Sequence, residues 1–314
     1  MSVADERGVG RARRSGRLAL RFAGWALFGL LVLELVARRY ISRPFRCLRR
    51  VADPEMMFAL RPGTYDSDGY MERVPETRYV IGDDGCQRLG AEPSLLVLGS
   101  SHGFGLGVDQ RLAFPDLLRR GLAGRGRALA GTLNCSVPGH QMLSSLRTAE
   151  RSLARSPHPV TVVLVNYHHL RQAFDWSILA PSDPVVDWLT GHLRLARVLY
   201  LYRLHQRFEG FPVRPEPDAR LAAGLDRFAG ALRAAGSRGV LVLHGRPEHP
   251  SFALAQEARR RGIAVVQIEP IPQDPNWSLD GEHWNPRGHR RVADQLTGLI
   301  DAALREPPPG AVSD

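Results

Sequence analysis

Two short clusters, far apart along the chain, contain the residue types of nucleophilic catalysis. The first is a Gly-Ser-Ser sequence that ends at Ser101 and directly follows the apolar run Leu95 to Leu98. The second contains Asp280 and His283 and precedes the last predicted helix. A serine hydroxyl is a weak nucleophile at neutral pH, so it needs an imidazole base, and that imidazole needs a carboxylate to fix its tautomer. These residues therefore predict a Ser-His-Asp triad.

The segments that must position these residues alternate between strand and helix. Nearly continuous apolar runs, typical of buried parallel strands, occur at Leu95 to Leu98, Val160 to Val165, Gly239 to Leu243 and Ile263 to Ile268. Helical patterns cover Phe114 to Leu122, Asp218 to Ala235, Ser251 to Arg261 and about Pro286 to Leu304. The alternation predicts a three-layer α/β/α sandwich with a central, mostly parallel sheet. Ligands bind such sheets beyond the carboxyl ends of the strands, where Ser101 stands.

Together, the two clusters resemble the motifs of the SGNH/GDSL hydrolases. The chain contains Gly-Ser-Ser-x-x-x-Gly at 99–105 and Asp-x-x-His-x-Asn-x-x-Gly-His at 280–289. The resemblance covers roughly residues 93 to 304 and implies the flavodoxin-like sandwich of that superfamily. The family's aspartate before the nucleophile is Ser100 here, a change expected to affect local hydrogen bonding more than the reaction.

By this resemblance, each candidate residue receives a role. Ser101 matches the nucleophile, Asp280 the orienting carboxylate and His283 the general base. The family's oxyanion hole combines the nucleophile's own N–H, a glycine N–H and an asparagine side chain. The candidates here are the N–H of Ser101, the N–H of Ser136 in the position of the glycine, and the side chain of His168, with Asn166 as the alternative register for the asparagine.

The segment Asn166 to His169 departs from the family's Gly-x-Asn-Asp and bears on activity. Losing one oxyanion donor costs about 3–4 kcal/mol of transition-state stabilisation. The sequence therefore supports two hypotheses of different class. One is a serine esterase or acyl hydrolase that acts on O-acyl groups of cell-envelope carbohydrate or lipid. The other is a catalytically weak or inactive binding or assembly protein of the cell envelope.

An apolar segment precedes the α/β part. With its flanks, it reaches the ~20 residues that span a bilayer, and no small-residue cleavage site follows it. An amphipathic or buried helix is the alternative, because Glu34 interrupts the run. Arginines balance on the two sides and leave the orientation open, whereas the resemblance to membrane-tethered bacterial SGNH proteins implies a periplasmic domain. The predicted divisions are a basic tail (1–16), a transmembrane anchor (17–40), a membrane-proximal lead-in with a short hairpin (41–92), a hydrolase-like domain (93–305) and a disordered tail (306–314).

Composition argues against other classes of function. The net charge is +10, but much of it flanks the apolar segment, so the sequence does not predict nucleic-acid binding. Cys47, Cys86 and Cys135 lack metal-ligand spacing and are expected to be thiols, with a Cys47–Cys86 pair as the alternative in an oxidising compartment. No motif indicates a metal or a cofactor.

The long insertion Ile178 to Phe211 is interpreted as helices packed on the core, with contact to the site or to the membrane as the alternative.

Overall fold

The computed structural model describes residues 4–40, 50–53, 55–67, 77–90, 92–165, 184–196, 199, 219–244, 251–279 and 283–305. In chain order its elements are α1 (Ala4–Tyr40), β1 (Arg50–Asp53), β2 (Met57–Leu60), β3 (Gly63–Ser67), β4 (Thr77–Ile81), β5 (Gln87–Gly90), β6 (Pro93–Leu98), α2 (Ser101–Phe104), α3 (Phe114–Ala123), β7 (Gly131–Asn134), α4 (Met142–Arg155), β8 (Val160–Val165), α5 (Pro184–His192), α6 (Ala219–Ala234), β9 (Arg238–His244), α7 (Ser251–Arg260), β10 (Ala264–Ile268) and α8 (Pro286–Arg305).

A six-stranded sheet forms the centre of the fold, in the order β10-β9-β8-β6-β7-β5. The strands from β6 to β10 are parallel, and β5 lies antiparallel at the edge beside β7. Taken alone, the parallel strands have the flavodoxin-like order 2-1-3-4-5, in which the chain leaves the first strand toward one edge and later returns to its other side. The predicted fold class is confirmed, and the switch point of the sheet lies beside the carboxyl end of β6.

Helices cover both faces of this sheet. One apolar core joins the sheet to α4, α6 and α7, and a second joins it to α3 and α8. Because both faces are covered, all six side chains of β8 are buried, which explains why that strand appears in the sequence as an uninterrupted apolar run. The helices and strands predicted from such runs agree with the structure to within one or two residues at their ends.

The predicted lead-in contributes to the folded domain. As expected, it contains a hairpin, in which β3 pairs with β4. A third apolar cluster packs the lead-in side chains Phe58, Tyr65 and Tyr79 against Phe104 and Val137 of the main domain. In addition, β5 belongs to this segment and is the edge strand of the central sheet. The described part of the lead-in is therefore an integral layer of the domain.

The expectation of three thiols is wrong, because Cys86 and Cys135 form a disulfide. Cys86 directly precedes β5 and Cys135 directly follows β7, and these strands pair antiparallel with Gln87 opposite Asn134. The next position in that register places the two cysteines opposite each other. The sequence did not reveal this pair because neither strand has an apolar run that would have predicted their pairing.

Two apolar regions of the described chain are exposed outside the core. In α1, the stretch Leu20–Arg39 is long and apolar enough to cross a membrane, and its large side chains lie on the surface of the described chain. In the insertion, Trp188 and Leu199 are each 56% exposed. The expectation that these two side chains pack in the core is wrong, since they point away from it.

Candidate active site

The Ser101 turn is the short segment 99–107 that follows β6 at the switch point of the sheet. Ser101 is half-buried and begins α2, and its carbonyl oxygen accepts hydrogen bonds from the N–H groups of Gly105 and Leu106, both at 3.1 Å. Gly105 ends the helix with φ 79°, a conformation that glycine adopts without strain. As the first helical residue, Ser101 has an N–H without an intrahelical acceptor. The serine is thus presented beside a main-chain donor that has no acceptor among the described residues.

The end of β7 braces this turn through one amide side chain. The Nδ2 of Asn134 donates to the carbonyl oxygen of Gly103 at 3.0 Å and to Gln87 Oε1 at 3.1 Å. Its Oδ1 accepts a hydrogen bond from the N–H of Ser136 at 3.1 Å. The turn also approaches Ser136 closely, because a Cβ added to Gly103 would lie 2.5 Å from Ser136 Oγ. The conformation of the Ser101 turn therefore depends on Asn134.

The lead-in braces the same turn from another side. The hydroxyl of Tyr79 accepts a hydrogen bond from the N–H of Gly107 and lies 3.5 Å from the carbonyl oxygen of Gly105, to which it donates. The Tyr79 ring contacts that of Phe104 with 4.9 Å between centroids. Sequence reasoning assigned no role to the lead-in, yet Tyr79 connects it directly to the segment that carries Ser101.

The His283 loop, of which the structure describes residues 277–279 and 283–285, lies just before α8. The N–H of Leu279 donates to the carbonyl oxygen of His283 at 2.7 Å, and the N–H of Asn285 donates to that of Trp277 at 3.0 Å. Ser278 also forms an isolated antiparallel bridge with Trp284. These contacts close the loop at its base and fix the backbone on which the His283 imidazole is carried.

The loop ends at the capped start of α8. The Oδ1 of Asn285 accepts hydrogen bonds from the N–H groups of Arg287 at 2.9 Å and Gly288 at 3.0 Å, and Pro286 occupies the first helical position. A Cβ on Gly288 would lie 2.4 Å from the carbonyl oxygen of Trp277, so glycine is required for this close approach. The Asn-Pro-Arg-Gly sequence therefore positions the loop by capping the helix and permitting tight packing.

A histidine next to the candidate nucleophile joins the two segments. His102 follows Ser101, and its ring stacks on that of His283 with centroids 5.6 Å apart and an interplanar angle of 29°. It also meets the buried Trp284 edge-on at 4.6 Å. The structure thus brings the Ser101 turn and the His283 loop, separated by almost the whole domain in sequence, into one site at the carboxyl edge of the sheet.

His244 also belongs to this site, although sequence reasoning missed it. It ends β9, and its ring lies 5.1 Å from Trp284 and 6.1 Å from His102. Its Nε2 accepts a hydrogen bond from the N–H of Ile271 at 3.4 Å. Burial lowers the pKa of His244 to about 4, so its ring is neutral at physiological pH. The sequence signal that could have identified His244 is its position at the end of a buried apolar strand.

His289 connects the site to the helix layer. As expected from sequence, it lies in the first turn of the last helix, α8. Its buried Nδ1 accepts a hydrogen bond from the N–H of Phe114 at 3.2 Å. Burial, and secondarily the charge of His283, lower the pKa of His289 to about 3. The ring is therefore neutral, as an acceptor nitrogen requires, and it satisfies the first N–H of α3.

The predicted site residues have different outcomes. Ser101 and His283 lie on segments that meet through the ring of His102, and their catalytic roles stay predictions. Ser136 lies against the Ser101 turn, but its N–H donates to Asn134 Oδ1, and its oxyanion role stays a prediction. The other three candidates lie outside the described residues and also stay predictions; they are Asp280, Asn166 and His168. Among the described residues, no group of three or more His, Cys, Asp and Glu side chains is arranged to hold a metal ion.

Comparison with known proteins gives matches only among solved structures, since no family model and no curated protein matches the chain. TesA has 18% identity and a TM-score of 0.43, covering 66% of this chain and 98% of its own. The psychrotrophic esterase EstA from Pseudoalteromonas sp. has 14% identity and a TM-score of 0.46, covering 68% and 100%. AlinE4, an SGNH-hydrolase family esterase, has 16% identity and a TM-score of 0.37, covering 69% and 98%. These likenesses are weak, and the fold assignment rests on the strand order of this chain.

Proposed function

We propose that this protein is a membrane-anchored serine esterase with Ser101 as nucleophile and His283 as general base. The observation that carries the proposal is the stack of His102 on His283, which brings the imidazole loop against the residue next to Ser101. The site lies at the switch point of a doubly wound sheet, where such folds bind their ligands. The weakly similar solved structures include proteins named as esterases.

The proposed reaction is acyl transfer to water. Ser101 Oγ attacks the carbonyl carbon of an ester while His283 takes the hydroxyl proton, giving a tetrahedral oxyanion. As the intermediate collapses, the ester C–O bond breaks and His283 returns the proton to the departing alcohol. Water then attacks the acyl-enzyme with His283 again as base, releasing the acid and regenerating the serine. Asp280 is proposed to hold the imidazole in the required tautomer.

Main-chain groups near Ser101 are the proposed oxyanion donors. The N–H of Ser101, in the first turn of α2, has no acceptor among the described residues. The N–H of Ser136 already donates a hydrogen bond to Asn134 Oδ1. Three residues later, Gly139 has φ 93° and an N–H that likewise has no acceptor within the described part of the chain. We therefore add Gly139 as a second candidate donor, with His168 or Asn166 as the side-chain donor.

The substrate class follows from location. An anchor places the site near surface-bound substrates, which favours O-acyl groups of cell-envelope carbohydrate or lipid. The Cys86–Cys135 disulfide supports a domain on the outer side of the membrane, because disulfides form and persist in oxidising compartments such as the periplasm. The helix Leu20–Arg39 supports anchoring, since it has the length and composition of a span.

The test combines ester hydrolysis with active-site labelling of the full chain in detergent. We expect p-nitrophenyl acetate hydrolysis and fluorophosphonate labelling, both reduced by about 10³-fold or more in Ser101→Ala and in His283→Ala. Ser152→Ala, on the distant α4, is the matched control and should retain both. Labelling that persists in Ser101→Ala would overturn the assignment. A folded wild-type protein that never labels would favour the binding or assembly protein, for which the engaged N–H of Ser136 is the supporting observation.

A further inference from the structure

A carboxylate within α1 holds the insertion against the helix. Glu34 Oε1 accepts a hydrogen bond from the N–H of Arg194 at 3.0 Å, and Glu34 Oε2 accepts one from that of Leu195 at 2.9 Å. Arg38 adds an ion pair to Glu34 at 2.8 Å and donates to the carbonyl oxygen of His192 at 3.3 Å. The acidic residue that interrupts the apolar segment therefore serves as a clamp for the backbone just after α5.

The clamped helix α5 presents an apolar face to the outside. Val185 is 63% exposed and Trp188 is 56% exposed. Together with the exposed His192, they are spaced three and four residues apart, which places them on one side of the helix. The Trp188 and His192 rings stack with centroids 4.8 Å apart. Large apolar side chains thus line a surface directly beside the candidate membrane span.

The position of the clamp along α1 matches the boundary of a bilayer. At 1.5 Å per residue, the 20-residue stretch Leu20–Arg39 is about 30 Å long, the thickness of a hydrocarbon core. Glu34 lies five residues before the end, about 7.5 Å inside it, which is within the roughly 5–10 Å to which interfacial helices bury their apolar face. An element clamped at this level lies where tryptophan is enriched, and the basic Arg38, Arg39 and Arg194 are close enough to meet lipid headgroups.

We infer that α5 lies on the bilayer surface, with Val185 and Trp188 inserted at the boundary between headgroups and acyl chains. The inference rests on the proposed anchoring by α1. The occupant of this face is lipid, because the face is continuous with the span and basic side chains border it. The insertion containing α5 follows β8, whose carboxyl end lies beside that of β6. The surface helix therefore belongs to the crossover that leaves the sheet at the Ser101 edge.

The experiment measures lipid contact at single labelled positions in the full chain. The background is Cys47→Ser, which leaves the disulfide pair as the remaining cysteines. An environment-sensitive fluorophore is attached through Val185→Cys or Trp188→Cys, with Phe28→Cys in the span and Arg220→Cys on the exposed start of α6 as controls. Each protein is placed in nanodiscs of phosphatidylcholine or of phosphatidylcholine brominated in its acyl chains. We expect brominated lipid to reduce fluorescence at least about twofold at positions 28, 185 and 188, and to leave position 220 unchanged.

The controls separate the possible failures. Quenching at 28 but not at 185 or 188, together with quenching of the latter by aqueous iodide, would overturn the inference and leave the anchor intact. Absence of quenching at 28 would remove the anchor and the inference together. Protection of 188 from both lipid bromine and iodide would show that protein, such as a second copy of the chain, covers the face, and would also overturn it.

A second variant tests the clamp. With Glu34→Ala in the same background, quenching at 188 should fall to the level of position 220, while position 28 stays quenched. Unchanged quenching at 188 would show that α5 reaches the lipid without Glu34, and the role assigned to the carboxylate would be wrong.

Discussion

The Ser101 turn and the His283 loop are held in place by different kinds of contact. Polar groups of Asn134 and Tyr79 hold the Ser101 turn by hydrogen bonds to its backbone. The His283 loop depends on the buried ring of Trp284, which meets His102, His244, His289 and Phe114. A buried hydrogen bond contributes about 1 kcal/mol, whereas removing a buried aromatic ring costs several times more. We therefore expect the loop to dominate stability and the turn to dominate the alignment of Ser101, the proposed nucleophile.

Removing the aromatic centre of the loop should have the largest effect. Trp284→Ala is expected to reduce the free energy of unfolding by about 3–5 kcal/mol, because it leaves a cavity beneath four rings. Hydrolysis should fall as well, since the loop that carries His283 loses its support. Thermal and guanidinium unfolding in detergent measure the first effect. The exposed Trp188→Ala is the matched control and should leave stability within about 0.5 kcal/mol.

The buried histidines of the loop side should make the domain sensitive to acid. The pKa values of His244 and His289 are about 4 and about 3, below the value of about 6.5 in an unfolded chain. Because the unfolded chain binds these protons first, stability is complete above about pH 6.5 and falls toward pH 4, by about 1.4 kcal/mol per pH unit for each histidine. The variant His289→Asn keeps an amide oxygen that can accept a hydrogen bond from the N–H of Phe114, but it removes one of the two titrating side chains.

The pH dependence is measured by guanidinium unfolding at several values between about pH 7 and pH 4. The curve of His289→Asn should be shallower than that of the wild-type protein by about 1.4 kcal/mol per unit. Parallel curves for the two proteins would contradict the assignment of a neutral, buried His289. The comparison cancels the carboxylates, which titrate in both proteins.

On the turn side, Asn134→Ala should reduce stability by about 1–3 kcal/mol, because it leaves the carbonyl oxygen of Gly103 and the N–H of Ser136 without their partner. The loss of hydrolysis should exceed the loss expected from partial unfolding, since the Ser101 turn would shift. The measurement is kcat for p-nitrophenyl acetate on folded protein. The exposed Asn276→Ala serves as control. An unchanged kcat would show that the turn holds its geometry without this amide.

The smallest effect is expected from Tyr79→Phe, which keeps the ring against Phe104 and removes only the hydroxyl. The N–H of Gly107 loses its acceptor, at a cost of about 1 kcal/mol. The control is Tyr65→Phe, because the Tyr65 hydroxyl donates to the carbonyl oxygen of Arg61, within the lead-in, at 2.8 Å. A several-fold lower kcat in Tyr79→Phe but not in Tyr65→Phe would indicate that the lead-in aligns the nucleophile. Equal values in the two variants would contradict that role.

The sequence predicted those parts of the fold that are buried in continuous apolar runs. Strands such as β8 are covered on both faces, and only apolar residues suit such positions. In contrast, β7 has the sequence Gly-Thr-Leu-Asn, and its pairing partner β5 is equally short and polar. Neither strand stands out by periodicity. The Cys86–Cys135 disulfide, which depends on their register, was therefore missed as well.

In the site, the sequence predicted the residues with reactive side chains but missed those that support them. Ser101 and His283 stand in recognisable local motifs. Asn134 and Tyr79 act through backbone groups that are distant in sequence, which a local pattern does not indicate. His244 was missed because a single histidine after a strand is also common in ordinary loops. All the roles assigned to site residues stay predictions, those of Ser101, Ser136, Asn166, His168, Asp280 and His283.

The pairing of β5 with β7 limits how the chain can be shortened for study. A fragment that begins at residue 93 would match the motif-bearing region but would lack β5. Such a fragment would expose the backbone edge of β7, and exposed edges are templates for aggregation. It would also carry Cys135 as an unpaired thiol, able to cross-link molecules during purification. We expect well-behaved soluble fragments to begin before β1, near Arg50, so that the edge strand and both cysteines are retained.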